Sequence, residues 1–441
     1  MLESNQGPET CNSYNMLRLT MALFLNNNDV SYLDYYERTL YNHILSTQHP
    51  EKGGFVYFTP IRPNHYRVYS QPETSMWCCV GSGIENHTKY GELIYSHSEK
   101  DVFVNLFIPS ELNWKEKGLQ LIQKNNFPNE NATELTLKLT KSQTFSLNIR
   151  YPKWAENIQI LVNGKSETVT ANPSQYINLN RKWKNGDKIA VQFTMKTKLE
   201  YLPDGSNWAA FVRGPIVLAA KTSTTALKGL FADDSRMGHE TRGKLYPINE
   251  AYALVDESKN YMSKLQAVDN MNFKMDSLTL QPFYQIHDAR YQMYFQTFTQ
   301  KEYESKKEIQ KQQEIALLAI EAMTVDKINC GEQQPEVDHQ YKGEQSNSGY
   351  DDDKFWRSTR SYISYQLQNK SKAGKYIEIS TLNDIKPENF EITINGIEAK
   401  ISSIENKTIK IQIPEEENFQ LEITAKNKIP TPRFYQIRIL K

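Results

Sequence analysis

The chain has 441 residues, 39% hydrophobic and 24% charged; this composition excludes wholesale disorder and predicts about two to four domains. Lys and Arg together number 52, as do Asp and Glu, so the formal net charge is zero, which gives no electrostatic case for a nucleic-acid or anionic-membrane partner. No apolar run reaches the roughly 18–20 residues of a membrane helix, no charged-then-apolar leader is visible, and four cysteines in so long a chain are not a disulfide framework.

Residues 1–97 read as helical. One helix is predicted from Cys11 or Asn12 to Leu25, stopped by Asn26-Asn27-Asn28. A second carries Leu33, Tyr36, Leu40, Tyr41 and Ile44 at the three-and-four spacing of one buried face. The Glu51-Lys52-Gly53-Gly54 turn leads to a short extended piece, Phe55–Phe58, and a third helix is expected from about Ile84 to Tyr95. Three helices cannot enclose a substrate pocket, so this region reads as part of a larger helical array. From Asp101 the apolar period switches to two, as in Leu137 and Leu139, Ile158 and Ile160, and Ile189, Val191 and Phe193. Asn163-Gly164 and Asn185-Gly186 have the chemistry of hairpin turns. Residues 98–222 are therefore expected to form a β-sandwich. Residues 223–330 are mixed α and β, with a polar loop at Asp233–His239, a strand at Tyr291–Phe298 and a helix at Lys301–Met323. Residues 331–441 return to period two, with Asn395-Gly396 as a further turn, and read as a second β-sandwich.

The cysteines carry the chemical signal. Cys78 and Cys79 are adjacent, and Cys11 lies in Gly7-Pro8-Glu9-Thr10-Cys11. Three thiols and the carboxylate of Glu9 match a tetrahedral zinc site in type and number. Zinc in turn lowers thiol pKa until the ligands ionise. The adjacent pair can share an ion only if the backbone bends sharply, which Gly81, Ser82 and Gly83 just afterwards would permit. Inert buried thiols, a disulfide between Cys11 and one of the pair, and a purely structural ion are the competing readings. His43, His65, His87 and His97 lie nearby in sequence, but surface or core hydrogen bonding is the default for each, and none is assigned a role. Cys330 is isolated and reads as a plain buried thiol.

The segments GPETCNSYNMLRLT, YYERTLYN, MWCCVGSGIENHTKYGE and FVRGPIVLAA resemble glycoside hydrolase family 127, whose type activity is β-L-arabinofuranosidase. Family 146 is related and shares the metal set. The later segments DDSRMGHE, HDARYQMYF and GEQQPEVDHQYKGEQSNSGY are similar to accessory domains of longer members. The resemblance implies zinc held by Glu9, Cys11, Cys78 and Cys79, with Cys78 as the nucleophile of a retaining mechanism. It also implies sugar-binding roles for Glu37 and Tyr57. The fold implied is the C-terminal part of an (α/α)6 barrel over residues 1–97, followed by β-sandwich domains.

Most of that barrel, including the acid/base Glu, precedes the Gly-Pro-Glu-Thr-Cys motif in the family. The sequence is therefore expected to be an N-terminally truncated member, and Glu3, Glu73 and Glu85 are not promoted to the missing acid/base role. The expected substrate is an oligo- or polysaccharide bearing terminal arabinofuranose-type sugars. A non-catalytic carbohydrate-binding or scaffold protein and an inactive truncated product are the rival readings. Intact relatives are often periplasmic or secreted; the compartment of this chain, its exact sugar and any homo-oligomer are left open.

Overall fold

The computed structural model describes residues 6–235 and 237–441; Glu3 lies outside them. It divides into two compact units, Met1–Gln310 and Lys311–Lys441, both of mixed α and β structure in which strands predominate.

The first unit opens on helix α1, Thr10–Asn27. Asn28 ends it in the left-handed conformation (φ 55°) and returns its N–H to Phe24 O at 2.7 Å. Helix α2, Ser31–Thr39, passes into a π-helical turn at Leu40–Ile44. Leu33, Tyr36, Leu40, Tyr41 and Ile44 are all buried, as the spacing requires, and each fully buried aliphatic contributes roughly 1.5–3 kcal/mol. The extended piece at 55–58 pairs through isolated bridges, Gln48 with Phe55, Val56 with Tyr69 and Phe58 with Glu9. Helix α3 spans Cys78–Asn86, not Ile84–Tyr95 as expected. Gly81, Ser82 and Gly83 lie inside it rather than forming a bend. Gly83 is small for a packing reason: a Cβ there would come within 2.6 Å of the Phe55 ring.

Strands 95–97, 102–104, 143–151 and 175–183 form one sheet, and strands 110–114, 119–124, 132–139, 188–193, 158–162 and 165–166 a second. Their apolar residues, including Leu147, Ile149, Leu135 and Val191, share one core with Phe211, Leu218 and Phe295 of a third, nine-stranded sheet. Asn163-Gly164 closes a two-residue hairpin, with φ of 50° and 79°. Asn185-Gly186 does not. The strand before it pairs with 143–151, and the strand after it pairs with 132–139 and 158–162, so this turn hands the chain from one sheet to the other. Strands 208–213 and 216–223 pair with strands beyond residue 222, at 278–282, 290–292 and 295–298. The third sheet thus spans the boundary expected at residue 222.

Two sets of polar contacts hold the helices and the 60–70 segment onto the sheets. Arg150, on strand 143–151, reaches Glu37 of α2 at 2.6 Å and Asp34 at 3.4 Å, and Trp154 Nε1 donates to Glu37 at 2.7 Å. Glu37 and Arg150 side chains are 1% and 0% exposed. Arg67 donates to the carbonyls of Ser46 and Ile286 and lies over the Phe283 ring at 4.6 Å. Arg290 donates to the carbonyls of Thr225, Asn64 and Ala226 and faces the rings of Tyr66 and Tyr246. Both arginines are buried, and these acceptors are uncharged.

Helix α4, Gln300–Met323, continues from the first unit into the second. The second unit is a ten-stranded sheet around a core of Ile328, Ile363, Ile379, Ile411, Leu421 and Ile437. Asn395-Gly396 forms the expected hairpin there. Within this unit Glu336 takes two hydrogen bonds from Arg357 at 2.6 Å and one from Tyr365 at 2.9 Å, and Cys330 is fully buried.

Breaking the Glu37–Arg150 pair should cost about 3–5 kcal/mol, because it strands a buried charge. Urea unfolding of Glu37→Leu and Arg150→Met should show that loss. The double variant should recover most of it.

Candidate metal centre

Two helix starts meet at the thiols. Glu9 is the N-cap of α1 (φ −83°, ψ 130°), yet its side chain makes no capping hydrogen bond. The cap position gives it extended backbone, and its carboxylate turns instead toward sulfur. Thr10 and Cys11 are the first two residues of α1. Trp77 occupies the same cap position before α3 (φ −86°, ψ 153°), and Cys78 and Cys79 open that helix. All three thiols therefore sit in first turns, where unpaired N–H groups and the helix dipole favour negative charge.

The backbone fixes how these starts approach each other. Thr59 N donates to Pro8 O at 3.1 Å and Thr10 N to Tyr57 O at 3.0 Å. The Thr10 hydroxyl bonds Val56 O at 2.7 Å. Gly7 is dictated by this pairing, since a Cβ would stand 2.0 Å from Thr59 O.

One ligand atom each from Glu9, Cys11, Cys78 and Cys79 lies within 4.8 Å of all the others. The Cys11–Cys78 sulfur distance is 3.4 Å and the Cys78–Cys79 distance 3.9 Å; Cys78 Sγ lies 3.6 Å from Glu9 Oε1. A tetrahedral ion with metal–sulfur bonds of about 2.3 Å would space sulfurs roughly 3.8 Å apart and sulfur from oxygen by roughly 3.5 Å. A disulfide needs about 2.05 Å, and all four cysteines are free. The disulfide reading is thereby removed, and the set fits a thiophilic divalent ion. Cys79 is buried, Glu9 and Cys11 are half-buried, and Cys78 is exposed.

The charges call for a cation as well. The thiol of Cys79 hydrogen-bonds Cys11 and holds its pKa below the usual thiol value. Burial pushes Cys78 up to about 11. The hydrogen bond to Cys11, followed by burial, pushes Cys79 higher. Cys11 is thus the most acidic of the three, and a bound cation would favour ionisation of all three sulfurs beside a carboxylate.

Residues 2–92 match the family described as "Beta-L-arabinofuranosidase, GH127 catalytic domain", and residues 101–195 match the "GH127 middle domain". Over these two segments the chain is similar to glycoside hydrolase family 127. Residues 198–297 match a "Domain of unknown function" and residues 319–440 a "Family of unknown function (DUF6805)". Among solved structures, the chain is similar to a GH127 β-L-arabinofuranosidase from Geobacillus stearothermophilus T6 (17% identity, TM-score 0.47, 66% of this chain and 50% of that one). It is also similar to a GH127 β-arabinofuranosidase (22%, 0.48, 66% and 50%) and to a protein named a glycoside hydrolase (20%, 0.49, 66% and 52%). The chain spans about half the length of these structures. No curated protein matches it.

Other residues of the family 127 segment singled out in the sequence fall in several places. Tyr57 is buried beside Glu9 and Cys78; burial, then the Glu9 carboxylate, raises its pKa. Glu37 stands apart from the thiols: its carboxylate is taken by Arg150 and Trp154. These contacts anchor α2 on the sheet. Glu85 is exposed and engaged by Tyr14, Arg18 and Lys89. Glu73 lies on an exposed loop at an open cleft.

None of the four histidines joins the thiol cluster among the described residues. His43 hydrogen-bonds Ser13, His65 bonds Thr241, and His87 bonds Tyr90. Burial pushes His43 and His87 down to about 4 and His65 to about 3. His97 is exposed against Trp114. Sequence reasoning missed His239 and Trp77, which enclose Tyr57. Their only sequence signal was membership of quoted motifs, and nothing local announced the contact.

Titration of the metal-free chain with a thiophilic divalent ion should saturate at one ion per chain. Cys11→Ser should weaken binding by at least about 100-fold, since even outer-shell changes cost 10–100-fold. Cys78 and Cys79 at least must each give up a proton, so apparent affinity should rise through the neutral range by at least about 100-fold per pH unit. Competition against a chromogenic chelator measures both.

Proposed function

We propose that this chain serves a zinc-dependent retaining glycosidase that releases terminal arabinofuranose-type sugars from plant glycans. Glu9, Cys11, Cys78 and Cys79 are the zinc ligands in this reading, Cys78 is the nucleophile, and Tyr57 lines the sugar site. The fold accompanying it is the C-terminal part of an (α/α)6 barrel followed by β-sandwich domains. The observation that carries the proposal is the asymmetry of the cluster. Three members are partly or fully buried, whereas Cys78 is exposed and is the most open of the four to a substrate. Thiolate-rich donor sets favour zinc over magnesium or calcium.

Zinc, when bound, would keep the sulfurs ionised at neutral pH by stabilising thiolate. The Cys78 sulfur then gives its electron pair to the anomeric carbon. A sulfur–carbon bond forms as the glycosidic carbon–oxygen bond breaks, and the departing oxygen takes its electrons and a proton from a donor acid. Among the described residues, the carboxyl group gathered at the thiols is Glu9, a ligand in this reading. Water next displaces the sulfur from the opposite side, and two inversions give net retention. The Tyr57 hydroxyl, beside both Glu9 and Cys78, is placed to orient the Cys78 sulfur and exclude water from its inner side. The substrate class rests on the family match and on the names of the similar structures.

Mass spectrometry after mild alkylation tests the reading. Zinc-loaded chain should leave Cys78 unmodified, and chelation should expose it to labelling. Incubation with an activated arabinofuranoside should place a glycosyl adduct on the peptide bearing Cys78. Equal labelling in both states, together with no adduct, would overturn the proposal.

A further inference from the structure

The segment matching a domain of unknown function sends one loop into the candidate centre. Leu230, Ala232, Glu240, Thr241 and Gly243 each bond the segment that matches the catalytic-domain family. Tyr69 N donates to Leu230 O at 2.9 Å and Ala232 N to Tyr69 O at 2.8 Å. Gln6 donates to Glu240 at 2.5 Å, the Thr241 hydroxyl meets His65 Nε2 at 2.5 Å, and Gly243 N donates to the Tyr66 hydroxyl at 2.8 Å. Gly243 cannot carry a side chain, for its Cβ would fall 2.5 Å from that hydroxyl.

In the middle of this grip sits His239, 3% exposed. Its ring stacks on Tyr57 at 4.2 Å with a 25° interplanar angle. Trp77, the cap residue of α3, meets it edge-on at 5.4 Å, and Phe58 lies at 5.5 Å. Tyr57 has two rotatable side-chain torsions; its backbone carbonyl accepts from Thr10 N at 3.0 Å and faces Cys79 Sγ at 4.0 Å, and its hydroxyl lies beside Glu9 and Cys78. A flat partner against one face fixes the plane of its ring, and the plane sets where the hydroxyl points.

We propose that the 230–243 loop is a built wall of the sugar site and that His239 is a positioning residue which holds Tyr57 in register with Cys78. The sugar-site part rests on the glycosidase reading above; the effect of His239 on Tyr57 does not. The domain of unknown function thereby acquires a task, which is to supply the outer support of a centre whose ligands lie elsewhere in the chain.

The test uses the full chain stripped with a chelator and follows alkylation of Cys78 by iodoacetamide. Tyr57→Phe removes the hydroxyl. His239→Leu keeps bulk without a flat face, and His239→Phe keeps the face. His239→Leu should change the Cys78 rate about three- to tenfold, in the same direction as Tyr57→Phe. His239→Phe should stay within about twofold of the parent. In a Tyr57→Phe background, His239→Leu should add nothing further. An unchanged rate in His239→Leu, an equal fold-change in both backgrounds, or His239→Phe behaving like His239→Leu would each overturn the proposal. If His239→Leu gives no cooperative melt, His239→Gln takes its place under the same criteria. A merely structural histidine would lower the melting temperature without routing its effect through Tyr57. Because the metal has been removed, the result stands whether or not the parent chain binds zinc. Failure of the parent to bind zinc would overturn the glycosidase reading alone.

Discussion

Holding three thiols and a carboxylate within 4.8 Å of one another is the constraint on which the segment matching family 127 depends. Such a set is costly unless something positive faces it. The chain meets part of that cost with backbone, by opening two helices toward the same point. Glu9 and Trp77 occupy equivalent cap positions, so Cys11 and the Cys78–Cys79 pair each meet the positive end of a helix. The remaining cost falls on protons or on a cation. Burial differs across the set: Cys79 is enclosed, while Cys78 is exposed.

This arrangement tolerates little slack. The pairing of Pro8 and Thr10 with Thr59 and Tyr57 is a few backbone hydrogen bonds long, yet it sets where α1 begins relative to the extended segment. Gly7 makes the close approach sterically feasible. The Glu37–Arg150 pair holds α2 against the sheet, so a carboxylate with the look of a functional group does mechanical work.

Local chemistry made much of this legible beforehand. The three-and-four spacing around Leu33 to Ile44 located the buried face, and the period-two stretches located strands. Cysteine identity and adjacency pointed to one cluster. What escaped was set by tertiary contact. The Gly81-Ser82-Gly83 run looked like a bend because small residues are ambiguous out of context; packing of Gly83 on Phe55 shows why they are small. Asn185-Gly186 has hairpin chemistry, but whether two strands flanking a turn pair with each other is decided by which sheet can bury them. Glu37 could not be told from a pocket carboxylate until Arg150 was placed beside it. His239 depends on a partner far away in the chain, and no periodicity encodes that.

The buried arginines carry a last consequence. Arg67 and Arg290 bind backbone carbonyls and ring faces that are withdrawn from water. Mobile ions weaken attraction between exposed charges over roughly 8–10 Å at moderate ionic strength, but they have little access to a cation enclosed among neutral dipoles. The seam between the 60–70 segment and the residues around 225 and 290 is therefore built from contacts that brine should hardly loosen. A protein fastened in this way keeps the 60–70 segment aligned with its neighbour across surroundings of very different salinity.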